Sequence, residues 1–90
     1  MGARLPRGSR DLKDQLHRAA MSISLNIGEG AGRGGQVDAN RFYAIARGSA
    51  MECSAVMDVS LALGWIDEEL FQEGEGLLER IVAMLTKMVR

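Results

Sequence analysis

The sequence is poor in the residue types that most protein chemistry relies on. Its 90 residues hold one cysteine (Cys53), one histidine (His17), one proline (Pro6) and four aromatic side chains, Phe42, Tyr43, Trp65 and Phe71. A lone thiol excludes an intramolecular disulfide and a cysteine-based zinc cluster, and it suits a reducing cytoplasm, which is the expected location. With no second histidine or cysteine at ligand spacing, His17 makes no metal site, and no cofactor is expected. No nucleophile-elbow motif accompanies it, so no catalytic set is assigned and the chain reads as non-enzymatic. Met1 to Arg10 carries three arginines and no apolar run, so no signal peptide is expected. The longest uncharged stretch, Ala19 to Gly28, falls short of the ~20 residues a bilayer requires, so no membrane role is expected. Strict apolar–polar alternation is absent, and with so few aromatics no strand is predicted.

What is present is material for helices. At 47% hydrophobic and 26% charged, the chain lies well inside the folding regime. Ninety residues allow one domain, residues 1–90, with a modest core. A core that small predicts further burial against copies of the same chain. The pattern predicts an N-terminal turn or tail over 1–8 and helices over about 10–27, 36–63 and 67–90. In the first, Leu12, Leu16, Ala19, Ile23 and Ile27 form one apolar stripe, with Ser9 as N-cap. In the second, Phe42, Ile45, Ser49, Cys53, Val56 and Leu63 lie near one face beside small Ala46, Gly48 and Ala50, and Gly64 ends the helix. Asp67 caps the third, and Ile66 with Phe71 fits a hydrophobic staple across that cap. Its stripe is Leu70, Leu77, Leu78, Ile81, Met84, Leu85 and Met88, weakened in the middle by Gly74 and Gly76. The fold class is all-α, an antiparallel helical bundle.

Gly28, Gly30, Gly32, Gly34 and Gly35 each cost roughly 1 kcal/mol inside a helix, so the whole segment is predicted to be a loop. Gly30 to Gly35 formally matches G-x-G-x-x-G, but a dinucleotide loop of that type follows a strand and this one follows a helix. Glycine amides entering a helix beside Arg33 could hold one phosphate; a plain interhelix turn is the favoured reading.

Charge separates along the chain. Met1 to Arg47 holds eight Lys/Arg against four acids, a net of +4, and Gly48 to Arg90 holds three against eight, a net of −5. Arg10, Lys13 and Arg18 gather with His17 on the first helix, and Arg33, Arg41 and Arg47 follow. Guanidinium forks grip phosphate in bidentate fashion, so these six residues are candidate contacts to nucleic-acid backbone, RNA or DNA. With few aromatics for base stacking, backbone contacts would dominate over sequence reading. Alternatively, Arg18, Arg33 and Arg47 pair with Glu29, Glu52 and Asp58 within or between subunits.

Taken in order, Asp14-Gln15-Leu16-His17-Arg18-Ala19-Ala20-Met21-Ser22-Ile23, then Asn26-Ile27-Gly28-Glu29-Gly30 and Gly32-Arg33, form a specific set of motifs. Ile45-Ala46-Arg47-Gly48-Ser49-Ala50-Met51-Glu52 and Leu63-Gly64-Trp65-Ile66 complete it. From about Leu5 to Arg90 the sequence resembles the four-helix-bundle family of 23S rRNA-intervening sequence proteins. The accessory variability determinants of diversity-generating retroelements are relatives of that family. The resemblance implies antiparallel helices assembled into a homo-oligomeric ring, typically a pentamer. In the retroelement relatives basic surfaces bind RNA or DNA, and a reverse transcriptase docks on the ring. Arg18, Asn26, Glu29, Gly30, Arg33, Gly48, Ser49 and Glu52 match the family's signature positions.

Three departures qualify the likeness. The family places another long helix before the Leu5-Pro6 equivalent, where this sequence starts, so three helices resembling the last three of four are expected. A misplaced start, a gene fragment, or a second subunit covering the exposed stripe would each account for it. Gly35 stands where the family usually has a serine cap. The sequence pI near 5.8 also contrasts with strongly basic retroelement accessories. The resulting expectation is an oligomeric accessory protein that binds nucleic-acid backbone, a partner such as a reverse transcriptase, or both. The alternative is a structural or protein-interaction bundle with no nucleic-acid role.

Overall fold

The computed structural model describes residues 7–89, which form three helices in the order α1 (Arg7–Ala31), α2 (Gln36–Ala62) and α3 (Glu68–Met88). Successive helices reverse direction, so the C-terminal end of α1 meets the start of α2, and Ser54 of α2 meets Glu75 of α3. α2 is the middle helix: α1 and α3 both pack on it, and no Cα of α1 lies within 8 Å of one in α3 among the described residues. The result is a rod of 50 × 21 × 18 Å. Its 15.0 Å radius of gyration exceeds the ~12 Å of a compact 90-residue domain.

The α1 stripe forms as its spacing requires. Ala19 and Ile23 are buried against Ala50 and Cys53, with Leu16 and Ile27 alongside. The helix begins earlier than expected, at Arg7, so Ser9 is no N-cap but a buried residue of the first turn. The neighbouring Gly8 lies against Trp65, whose ring would come within 3.3 Å of a Cβ there. Tertiary packing of this kind carries a helical turn that local signals alone would not start. Met1 to Pro6 of the expected tail lie outside the described residues.

The glycine segment is also more helical than expected. α1 continues through Gly28 and Gly30, and the loop is only Gly32 to Gly35. Gly30 marks the close approach of α1 to α2. A Cβ there would sit 2.5 Å from Cε1 and 3.0 Å from Cζ of Tyr43. Burying that ring against the bare Cα offsets the roughly 1 kcal/mol propensity penalty of the glycine. The Gly32 amide, shared between the Gly28 and Glu29 carbonyls at 3.1 and 3.2 Å, closes the last turn.

α2 buries Ala39, Tyr43, Ala46, Ser49, Ala50, Cys53 and Val56. This face is rotated from the expected one: Phe42 is half-buried, while Ile45 and Leu63 are exposed. A helix held on two sides needs small side chains where both neighbours converge, and fully buried Ala46 and Ala50 supply them. Gly48 faces open space. The helix stops as predicted, with Gly64 at φ +77° and the Trp65 and Gly64 amides donating to the Ser60 and Leu61 carbonyls at 2.9 and 3.0 Å. That pair of bonds is a Schellman cap.

Asp67 accepts from the Leu70 amide at 2.8 Å, the predicted cap of α3. Leu85 is fully buried, with Ile81 and Met88 beside it, and Leu78 packs toward α1. Leu70, Leu77 and Met84, expected in the same stripe, are about half exposed at 51%, 57% and 46%. Only one helix lies beneath α3, so half of its apolar arc has nothing to rest on. Helix α3 ends at Met88, and Arg90 lies outside the described residues.

Candidate functional site

The six candidate cations fall into three places rather than one. Arg10, Lys13 and Arg18 are exposed on the first half of α1, and none makes an ion pair among the described residues. Arg10, Lys13 and His17 follow at three- and four-residue spacing, so they share one strip, with Arg18 on its flank. Asp14 stands one turn from both Arg10 and Arg18, yet it forms no ion pair with either.

Arg33 and Arg41 lie at the other end of the rod and are already engaged. Arg33 bonds Glu29 at 3.0 Å and approaches Asp38 at 3.6 Å, while Arg41 reaches Asp38 at 3.1 Å. Both guanidinium groups stack on the Phe42 ring, 4.6 and 4.9 Å from its centroid. These contacts are solvent-exposed, so each pair is worth well under 1 kcal/mol and can be exchanged for a phosphate. Arg47 is half-buried on α2 and donates to Thr86 Oγ1 of α3 at 3.4 Å. Of the ion pairs suggested by sequence, Arg33–Glu29 forms; Arg18 and Arg47 take no acid partner among the described residues.

Several signature positions serve packing. Ser49 of α2 shares a 2.7 Å hydrogen bond with Ser22 of α1, and Asn26 Nδ2 donates to the Ser22 carbonyl at 2.8 Å and to its hydroxyl at 3.1 Å. Asn26 and Ser49 are therefore one polar bolt between the two helices, and Ser22 is the member that sequence reasoning did not single out. Gly30 admits the Tyr43 ring, and Glu29 holds Arg33. Exposed Glu52 precedes Cys53 and acts on it electrostatically. Burial pushes the Cys53 thiol above its ordinary value of 9.0, and the Glu52 carboxylate adds to the rise. A thiol held protonated in a helix interface is a small apolar filler rather than a nucleophile.

A second sequence-silent tie joins α2 and α3, where the Ser54 hydroxyl lies 2.9 and 2.8 Å from the two carboxylate oxygens of Glu75. Between α1 and α3 runs an apolar groove of about 370 Å³, floored by Cys53 and Met57 and walled by Leu16, Ala20, Leu77 and Ile81. Beyond its α1 wall, Met21 and Leu25 are 54% and 63% exposed. Among the described residues no helix is long and apolar enough to cross a membrane.

The glycine-bearing end of α1, the Ser22–Asn26–Ser49 bolt and the Gly64 cap are set out in the order of the motifs quoted above. The family model of 23S rRNA-intervening sequence proteins matches residues 4–87. The chain belongs to this family. The matched span takes in nearly all of the three helices, so the family's likeness is to the whole bundle and not to one motif. No curated protein sequence matches the chain.

Proposed function

We propose that this protein is a non-enzymatic, self-associating helical scaffold that grips nucleic-acid backbone, RNA or DNA, chiefly through Arg10, Lys13 and Arg18. The observation that carries the reading is that these exposed cations on α1 make no ion pair among the described residues, nearby Asp14 included. Arg33 and Arg41 join them by exchanging weak, exposed ion pairs for phosphate. Arg47, reaching toward Thr86, is the least available of the six.

Self-association follows from the half-exposed Leu77, Leu70 and Met84 and from the groove beside them. Large apolar side chains gathered along one face of a small domain are the mark of an interface. A ring, five-membered as the resemblance implies, would also repeat the α1 cations around its rim and multiply a weak contact through avidity. Any reaction would belong to a partner, and a reverse transcriptase is the partner that the resemblance suggests.

Labelled single- and double-stranded RNA and DNA, titrated with the protein at rising salt, test this reading. Three released counterions per protomer give a log–log slope of roughly −2 on single strands and nearly −3 on duplex DNA. Replacing Arg10, Lys13 and Arg18 with glutamine should flatten the slope and weaken binding equally across sequences. Unchanged affinity and slope in that variant would overturn the proposal. Absence of binding at low salt by folded protein would leave the interaction bundle, whose arginines serve ion pairs alone.

A further inference from the structure

α2 is apolar on more sides than its neighbours cover. Toward α1 and α3 this is required, because both pack on it. A third side faces away from both and is exposed along its length. Gly48 lies at its middle, with open space where a Cβ would stand. At helical spacing from Gly48, Ile45 and Met51 lie three residues to either side, and Val37 and Val59 eleven. Val37 is 87% and Met51 60% exposed, and Ile45 and Val59 are nearly half exposed. The face holds two charges along its centre, Arg41 seven residues before Gly48 and Glu52 four after it. The solvent side of a helix ordinarily carries charged and polar residues, and a helix apolar all round is a buried one. Large apolar side chains gathered in this way mark a surface that another molecule covers.

The charges say which molecule, because the face is complementary to itself. Two copies meeting on a two-fold axis at Gly48 present the same patch to each other. Were the two α2 helices parallel, Arg41 would face Arg41 and Glu52 would face Glu52. Crossed antiparallel, each Arg41 comes beside Glu52 of the other copy, about 4.5 Å apart along the axis at 1.5 Å per residue and within reach of a guanidinium group. The axis repeats the pair, so the contact holds two. The same operation sets Ile45 on Met51 of the second copy and Val37 on its Val59. A glycine at the axis lets the two helices close to the ~8 Å of the tightest helix packing. Glu52 makes no ion pair among the described residues, so it gives up none by joining. On the flank, Asp38 comes toward Asp58 of the second copy, and Arg33 and Arg41 already hold that carboxylate.

We infer that the outward face of α2 is a two-fold docking surface for a second copy of this chain, the two α2 helices crossing antiparallel at Gly48 with reciprocal Arg41–Glu52 pairs. This goes beyond the self-association proposed above. The groove is floored by Cys53 and Met57, which lie on the side of α2 away from Gly48, so the two surfaces do not overlap. A chain with both can be joined through one while the other is blocked. Arg41 then belongs to the protein contact, and nucleic acid is left to Arg10, Lys13, Arg18 and Arg33.

The test is sedimentation equilibrium of the whole chain over a range of concentrations, read as particle mass. Arg41→Glu and Glu52→Arg each set like charges together twice and should weaken association by about tenfold. The double variant re-forms both pairs with their signs exchanged and should recover most of that loss. At Gly48 an added Cβ meets nothing within 4 Å in the chain, so Gly48→Leu leaves the protomer intact. It should raise the Tm of the dissociated chain through helix propensity, yet weaken association by about tenfold or more by holding the helices apart. Leu77→Glu blocks the groove and should leave particles of two chains, which adding Arg41→Glu should split. Masses unchanged in Gly48→Leu and in both charge reversals, or a double variant no better than its parents, would overturn the inference. A wild-type chain that stays single at every concentration would overturn it together with the groove reading. Particles of two chains that Gly48→Leu splits and Leu77→Glu leaves whole would support this face and sink the groove alone.

Discussion

Gly28 and Gly30 are two residues apart in the same helix, yet replacing them by alanine should move stability in opposite directions. At Gly28 an added Cβ meets nothing within 4 Å. The substitution then gains only backbone entropy and helix propensity, about 0.5–1 kcal/mol. In a domain this small that raises Tm by roughly 2 to 8 °C. At Gly30 the new Cβ would stand 2.5 Å from Cε1 and 2.8 Å from Cδ1 of Tyr43, where ordinary carbon contacts are about 3.5–4.0 Å. Tyr43 must therefore retreat by about 1 Å, but it is packed among Ala39, Ala46 and Leu85. Overpacking of this kind costs about 1–3 kcal/mol, which exceeds the propensity gain and lowers Tm by several degrees. Urea and thermal melts followed by far-UV circular dichroism, at one fixed protein concentration because self-association shifts apparent stability, would measure both. Tyr43→Leu removes the obstructing ring, so the Gly30→Ala penalty should largely vanish in that background, an interaction energy of about 1 kcal/mol or more. A Gly30→Ala variant as stable as Gly28→Ala, or a penalty that survives in Tyr43→Leu, would refute the close approach of α1 to α2.

Three further outcomes can be measured in the same melts. Asp67→Ala removes the 2.8 Å acceptor of the Leu70 amide and should cost about 1 kcal/mol, with Asp67→Asn recovering most of it. Leu85→Ala empties the one large side chain that is fully buried among the described residues and should cost about 2–5 kcal/mol, enough to leave the isolated chain largely unfolded. The raised Cys53 pKa means that the unfolded chain loses its thiol proton first as pH rises, so stability should fall with pH above about 9. A smaller fall between pH 8 and 10 in Cys53→Ala, read as urea midpoints, is the expected result, and an identical fall would remove the thiol as its source.

Element type and order were legible in the sequence because the signals for them are local. The Gly64 stop and the Asp67 cap need only a few neighbours, and both form where the residues predicted them. What was not legible depended on what lies across the interface. Gly28 and Gly30 read as helix breakers because nothing in the chain order says that Tyr43 arrives beside one of them. Ser9 read as a cap because Trp65, 56 positions later, is what buries the first turn. On α2 the apolar period pointed to Phe42 and Ile45, whereas a helix shared by two neighbours selects its smallest residues for the contact. The candidate site divides the same way. Composition gave the cations, but only the fold separates Arg10, Lys13 and Arg18, which make no ion pair among the described residues, from Arg33 and Arg41, which already hold acids and the Phe42 ring.

The same geometry explains why three amphipathic helices leave so much apolar surface in water. Closing a three-helix core requires the outer two to approach closely, and here no Cα of α1 comes within 8 Å of one in α3 among the described residues. Ala46 and Ala50 let both helices close on α2, and between them Cys53 and Met57 form the floor of a groove. Filling that groove by collapse would demand that α1 slide off the Ser22–Asn26–Ser49 bolt or that α3 lose the Ser54–Glu75 tie. Those polar contacts sit on opposite flanks of α2 and fix the splay between its neighbours. Each is worth only about 1 kcal/mol, yet breaking it strands partly buried hydroxyl and carboxylate groups, and that penalty is what holds the groove open. An assembly that covers Leu77 and the groove therefore completes a core whose shape the single chain has already set, rather than remodelling it.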